Sequence, residues 1–226
     1  MPEAPDTRSA PWQDEDRTAR IAAAPERNPH VSPDSAAPPV TVTTLGHGHR
    51  SHAELLALLA AGGVRLLVDV RRYPASRRQP HMNKATLAAA LAEAGVEYRH
   101  AEDLGGYRTP RVDSPHDGLP DEALRGYADH MRTAAFRRAL EHLLLLAAQA
   151  PTAILCAETS PQHCHRALLS DALLVRGARV LHLLAADHVE AHALHPCARV
   201  EPDGHLLYRA ADAGQLDLFT TPTSPG

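Results

Sequence analysis

The stretch 152-TAILCAETSPQHCHRALLSDALLVRG-177 decides the fold class of this 226-residue chain. It opens on an apolar run, Thr152 to Cys156, of the length of a buried strand. A polar, proline-bearing loop follows. Cys164 to Arg176 then repeats apolar residues at helical spacing until Gly177 stops it. Strand, loop, helix and terminal glycine form the repeating unit of a parallel α/β sheet.

The same grammar extends outward in both directions. Val40 to Leu45 is short and β-branched, and breaks at Gly46-His47-Gly48. Ser51 and Glu54 form a capping box for a helix from Ala53 to Ala61, closed by Gly62-Gly63. Leu66 to Val70 is a second buried run, apolar apart from Asp69. A helix through Leu87 and Leu91 ends at Gly95, and Val96 to Arg99 is a short third strand. Asp121 to Ala150 predicts two helices meeting near Thr133. Arg179 to Leu184 is a fifth strand, and His188 to Arg209 predicts a hairpin around Pro202-Asp203-Gly204. The expected architecture is a Rossmann-like three-layer α/β domain over residues 40–209, a mostly parallel sheet of about five strands with helices on both faces. Residues 1–39 and 210–226 lack a periodic apolar face and read as disordered tails.

Composition narrows the function classes. Hydrophobic residues at 44% and charged residues at 22% are ordinary for a globular domain. A net charge of −4 argues against coating nucleic acid by bulk charge, while leaving room for a local basic patch. No run approaches the ~20 apolar residues of a membrane span. The first residues lack a basic start and an apolar core, so no membrane or secretory route is expected and the cytoplasm is the expected location. Cys156, Cys164 and Cys197 are too few for a disulfide framework. No GxGxxG or P-loop pattern occurs, and the cysteine spacing is unlike a zinc ribbon, so no cofactor and no metal is expected.

Ligands of parallel sheets bind beyond the carboxyl ends of the strands, and the chemistry-bearing residues fall there. After the first strand, Gly46-His47-Gly48 lets backbone approach a ligand; the plainer reading is an ordinary turn. After the second, Asp69 precedes Arg71, Arg72, Ser76, Arg77 and Arg78, with Asn83 and Lys84 beyond. Arginines at a strand end suit a phosphate or carboxylate, against the plainer reading of a solvated loop. Gly105 and Gly106 suit a turn or lid hinge. After the fourth strand come Cys156, Glu158, Cys164, His165 and Arg166. A thiol at a helix start has a lowered pKa, and Glu158 is the candidate acid or base. The plainer reading makes Cys156 a small buried apolar residue.

These blocks resemble a family catalogued as domain of unknown function 488. The resemblance rests on Thr44-Leu45-Gly46-His47, Leu67-Val68-Asp69-Val70-Arg71, Pro74, Ser76-Arg77, Asn83-Lys84 and Leu104-Gly105-Gly106. Arg125 to Met131 with Tyr127, Phe136, Cys156-Ala157-Glu158 and Cys164-His165-Arg166 complete it, in order, between about Val40 and Leu184. It implies an α/β domain without specifying a reaction. A looser likeness to rhodanese-type sulfurtransferases rests on Leu67 to Arg71 and on a strand ending in Cys156 before a helix.

The tail carries Gln215-Leu216-Asp217-Leu218-Phe219, which resembles the peptide that docks in the bacterial DNA polymerase sliding clamp. Gln215, Leu216, Leu218 and Phe219 are the expected partner contacts; the alternative is that they pack back onto the domain. The expected function is a clamp-recruited enzyme of DNA repair or nucleotide processing, with DNA or a nucleotide as ligand. Catalytic candidates are Glu158, Cys156, Cys164, His165 and Asp69. His47, Arg71, Arg72, Ser76, Arg77, Asn83, Lys84, Gly105, Gly106, Tyr127 and Arg166 are the expected substrate contacts. The alternatives are a rhodanese-like thiol enzyme and a non-catalytic clamp adaptor.

Overall fold

A computed structural model describes residues 39–210. The expectations for residues 1–38 and for 211–226, the docking peptide Gln215 to Phe219 included, lie outside the described residues.

The chain alternates strands and helices: β1 (Thr41–Gly46), α1 (His52–Ala61), β2 (Leu66–Asp69), α2 (Lys84–Glu93) and β3 (Glu97–His100). Then come α3 (Glu122–Met131), α4 (Ala134–Gln149), β4 (Thr152–Cys156), α5 (His165–Val175) and β5 (Arg179–Ala185). The last elements are β6 (His188–Ala191), β7 (Ala198–Val200) and β8 (Leu206–Tyr208).

Local chemistry explains the boundaries. The Ser51 and Glu54 capping box is closed in both directions, with the Ser51 amide donating to Glu54 Oε2 at 2.7 Å. The expected break near Thr133 arises because Asp121 caps α3 and Thr133 caps α4, each accepting a helix amide. Cys164 is the N-cap of α5, its Sγ accepting from the Arg166 amide at 3.4 Å.

The main sheet has six strands in the order β3-β2-β4-β1-β5-β6, the first five parallel and β6 antiparallel to β5. Sequence led to about five. β6 went unread because all four of its residues are exposed, so it carries no apolar periodicity. The hairpin around 202–204 forms, but as a separate two-stranded sheet of β7 and β8.

Leu55, Leu58 and Leu59 of α1 and Leu87 and Leu91 of α2 pack on Leu45, Leu67, Leu155 and Leu183 at one face. Each fully buried leucine contributes roughly 1.5–3 kcal/mol. Helices α3, α4 and α5 pack together on the other face, where α5 meets β5 and α4 meets β1. A buried polar chain crosses that face. Thr44 Oγ1 lies 2.7 Å from His182 Nδ1, His182 Nε2 3.0 Å from His192 Nδ1, and His192 Nε2 2.8 Å from Asp171 Oδ1. Tyr208 donates to Asp171 Oδ2 at 2.9 Å, tying the hairpin to α5. No helix among the described residues is long and apolar enough to cross a membrane.

Candidate active site

β1 and β4 are neighbours, with Gly46 opposite Cys156. The connection from β1 runs to β2 on one side and that from β4 to β5 on the other. Adjacent strands whose connections leave in opposite directions make a crevice beyond their carboxyl ends. The pairing continues into it, with the His47 amide donating to Cys156 O at 2.9 Å and that of Gly48 to Ala157 O at 2.8 Å. This close approach needs glycine, because a Cβ on Gly46 would stand 1.8 Å from the Glu158 carbonyl oxygen.

Cys156, at the end of β4, and Cys164, at the start of α5, bring their sulfurs 2.8 Å apart. His165 Nδ1 lies 3.8 Å from Cys156 Sγ and 3.6 Å from Cys164 Sγ. The ring's other nitrogen lies 3.1 Å from the Val70 carbonyl, which only accepts. Nε2 therefore carries a proton and donates to that carbonyl, which turns Nδ1 toward the two thiols. Tyr127 sets its ring edge-on to His165 with centroids 4.9 Å apart, its hydroxyl donating to Leu104 O at 2.8 Å. Gly106 covers the imidazole so closely that a Cβ there would stand 2.7 Å from Nδ1.

The two thiols differ in acidity. Cys156 is held well below the ordinary thiol value, first by the Cys164 S–H bond and then by His165 and Arg166, against burial. Cys164 is pushed up, first by donating to Cys156 and then by burial. Cys156 is thus the more acidic thiol of the pair. The three donor atoms lie within 4.8 Å of one another, so they also form a set able to hold a soft ion such as zinc. The cysteines and histidine cluster in sequence, but the spacing from Cys156 to Cys164, unlike that of a zinc ribbon, argues against such a set.

A second cluster borders the first. Asp69 accepts from Arg71 Nε at 2.9 Å and Nη2 at 2.6 Å, and from the Tyr98 hydroxyl at 2.8 Å. Arg71 also donates to Met82 O at 2.9 Å, and its Nη1 lies 3.3 Å from His47 Nε2. His47 is held below its ordinary pKa, first by burial and then by the Arg71 charge. Arg166 is fully buried, donating to Glu158 O at 3.1 Å and Thr159 O at 3.0 Å, with its Nε unpartnered among the described residues. Arg71 and Arg166, expected to meet an anion, are thus turned to holding loops.

The other expected residues divide. Cys156, Cys164, His165, Tyr127 and Gly106 come together, and Asp69, Arg71 and His47 adjoin them. The Glu158 side chain is exposed, and it is its backbone carbonyl that meets Arg166. Ser76 and Asn83 fold the second loop, the Ser76 amide donating to Asn83 Oδ1 at 2.5 Å. Arg77 and Lys84 face solvent, while Gly105 packs on the Arg72 backbone. Sequence reasoning missed Tyr98, and it missed Arg50, which donates to Gly46 O at 2.6 Å and Leu184 O at 2.8 Å. Neither sits in a pattern that marks it. Asp171 did leave a signal, an acid inside the apolar run of α5.

No curated protein and no solved structure matches this chain. A family model described as Domain of unknown function DUF488 matches residues 51–173, just over half of the 226 residues. That span holds β2 to β4, both clusters apart from His47, and most of α5; the chain belongs to the DUF488 family.

Proposed function

We propose that the protein is a thiol-dependent, sulfur-handling enzyme in which Cys156 is the nucleophile and Cys164 its partner thiol. The observation that carries this reading is the 2.8 Å approach of the two sulfurs at the crevice between β1 and β4. Attack of the Cys156 thiolate on a substrate disulfide forms a mixed disulfide and expels the other substrate sulfur as a thiolate. His165 Nδ1 is placed to take the Cys164 proton. Cys164 then attacks Cys156 Sγ, closing the Cys156–Cys164 disulfide and releasing the second substrate thiol. Two electrons pass to the substrate, and a small-molecule thiol returns the pair to the reduced state. A reduced resting pair fits a reducing compartment such as the cytoplasm.

Intact-mass measurement tests this. Stoichiometric disulfide substrate should remove two hydrogens from the chain, and Cys156→Ser should stop it. Cys164→Ser should instead trap a mixed disulfide on Cys156. A protein that purifies with one equivalent of zinc, both thiols resisting alkylation until a chelator is added, would make the centre a metal site and sink the thiol reading.

A second reading, recruitment to DNA by the sliding clamp, is favoured by the Gln215 to Phe219 sequence. A tethered peptide raises local concentration without requiring net positive charge. Deleting residues 215–219 should abolish capture by purified clamp; undiminished capture removes this reading.

A further inference from the structure

The surface beside the thiol crevice carries two exposed tyrosines, both in contact with one arginine. Tyr73 is 62% exposed and Tyr107 is 81% exposed. The Arg72 guanidinium carbon lies 5.3 Å from the Tyr73 ring centroid, and its Nη1 donates to the Tyr107 carbonyl at 2.7 Å. Arg72 thereby fixes the spacing of the two segments that bear the rings. Tyr107 has φ of 56°, the one positive value among the described non-glycine residues. A bulky side chain holds that conformation only where the surrounding structure imposes it.

On the Tyr73 side the charge is one-sided, while on the Tyr107 side Glu102 and Asp103 lie near Arg108. Residues 70–92 contain Arg71, Arg72, Arg77, Arg78 and Lys84 and no acid. Arg71 is neutralised by Asp69. Among the described residues, none of Arg72, Arg77, Arg78, Lys84 or Arg108 is paired with a carboxylate. Arg108 donates instead to the Gly105 and Glu102 carbonyls, and its guanidinium is held below its ordinary pKa by burial and by Arg72. Exposed rings interleaved with unpaired cations match a ligand of alternating flat bases and phosphates. A duplex hides its base faces inside the stack, so only an unpaired strand offers them to tyrosines.

We propose that Tyr73, Arg72 and Tyr107 form a stacking platform for single-stranded nucleic acid, with Arg77, Arg78 and Arg108 meeting its phosphates. The platform adjoins the thiol crevice through Gly105 and Gly106, which pack on Arg72 and His165 respectively. It depends neither on the thiol chemistry nor on the tail.

Fluorescence anisotropy of the full chain with labelled T20, U20 and a 20-base-pair duplex tests it, each at 50 and 200 mM salt. T20 or U20 should bind at least tenfold tighter than the duplex, the tighter of the two naming DNA or RNA as the source. Tyr73→Ala and Tyr107→Ala should each weaken binding about 5- to 150-fold, the range for loss of one stacked base. Tyr→Phe at either position should bind like the wild type. Arg77→Ala with Arg78→Ala should flatten the salt dependence. Tyr107→Gly suits the positive φ, so it should hold or raise the melting temperature while still losing affinity, which separates stacking from folding. Equal binding of duplex and single strand, no binding at all, or alanine variants that bind like the wild type would each overturn the platform.

Discussion

Asp69 and Arg71, two residues apart at the end of β2, close a bidentate ion pair inside the protein, with Nε to Oδ1 at 2.9 Å and Nη2 to Oδ2 at 2.6 Å. Both side chains are buried, at 0% and 8% exposure. Such a pair is costly to break from one side, because the remaining charge stays desolvated. Asp69→Asn should therefore lower unfolding stability by about 3–5 kcal/mol in urea titration. Adding Arg71→Met should recover part of that loss. If the double variant is less stable than the sum of the two singles, the pair is not what holds this corner.

Gly46→Ala tests the seam between β1 and β4. The new Cβ would meet the Glu158 carbonyl carbon at 2.5 Å and its oxygen nearer still, both backbone atoms. Loss at or above the ~1–3 kcal/mol of an overpacked core is expected. Gly63→Ala, where an added Cβ meets nothing within 4 Å, should lose only the ~1–2 kcal/mol of a left-handed φ. Thermal melting of the two variants gives the order directly.

The unequal acidity of the thiols predicts an alkylation profile. Cys156 should react with iodoacetamide at a rate that levels off well below pH 9, the ordinary thiol value. Cys164→Ala removes the S–H donor that contributes most to that acidity, so the inflection should move to higher pH. His165→Gln should move it the same way and less far. An inflection near 9 in the wild-type protein would contradict the assignment of Cys156 as the more acidic thiol.

Acid should weaken the fold through His182, whose pKa burial lowers to about 4. The unfolded chain takes up this proton near pH 6.5 and the folded one near 4, so the unfolded state binds more protons between them. Stability is complete above about pH 6.5 and falls as the pH drops toward 4, by ~1–2 kcal/mol after solvent screening. Urea titrations at pH 7.5 and 4.5 measure the loss. His182→Gln should show a shallower fall than the wild-type protein.

Much of the frame was legible in sequence because it is local. The capping box at Ser51, the helix break near Thr133 and the stop at Gly177 act within one turn, so spacing alone discloses them. Helix and strand runs differ in period, which is why Thr152 to Gly177 reads correctly as strand, loop and helix. β6 stayed hidden because it buries no face. The carboxyl-end rule correctly placed Cys156, Cys164 and His165 near one another, while the same rule assigned Arg71 and Arg166 to a ligand.

Arg71 pairs with Asp69 two residues away, but the other partners lie on backbone or on distant segments of the chain, where spacing is silent. Arg166 finds two carbonyls of its own loop, and Asp69 finds Tyr98 from a neighbouring strand. Glu158, at the centre of the densest motif, turns outward, so its chemistry did not follow from its position. The platform of Tyr73, Arg72 and Tyr107 joins two loops some 35 positions apart. Sequence by itself determined the five parallel strands, the helices between them and the end of the sheet where the cysteines and arginines gather, since short-range propensity and burial pattern set them. Only the tertiary structure decided which charges are spent internally and which sulfur is the more acidic, because desolvation and hydrogen bonding depend on neighbours that the fold alone supplies.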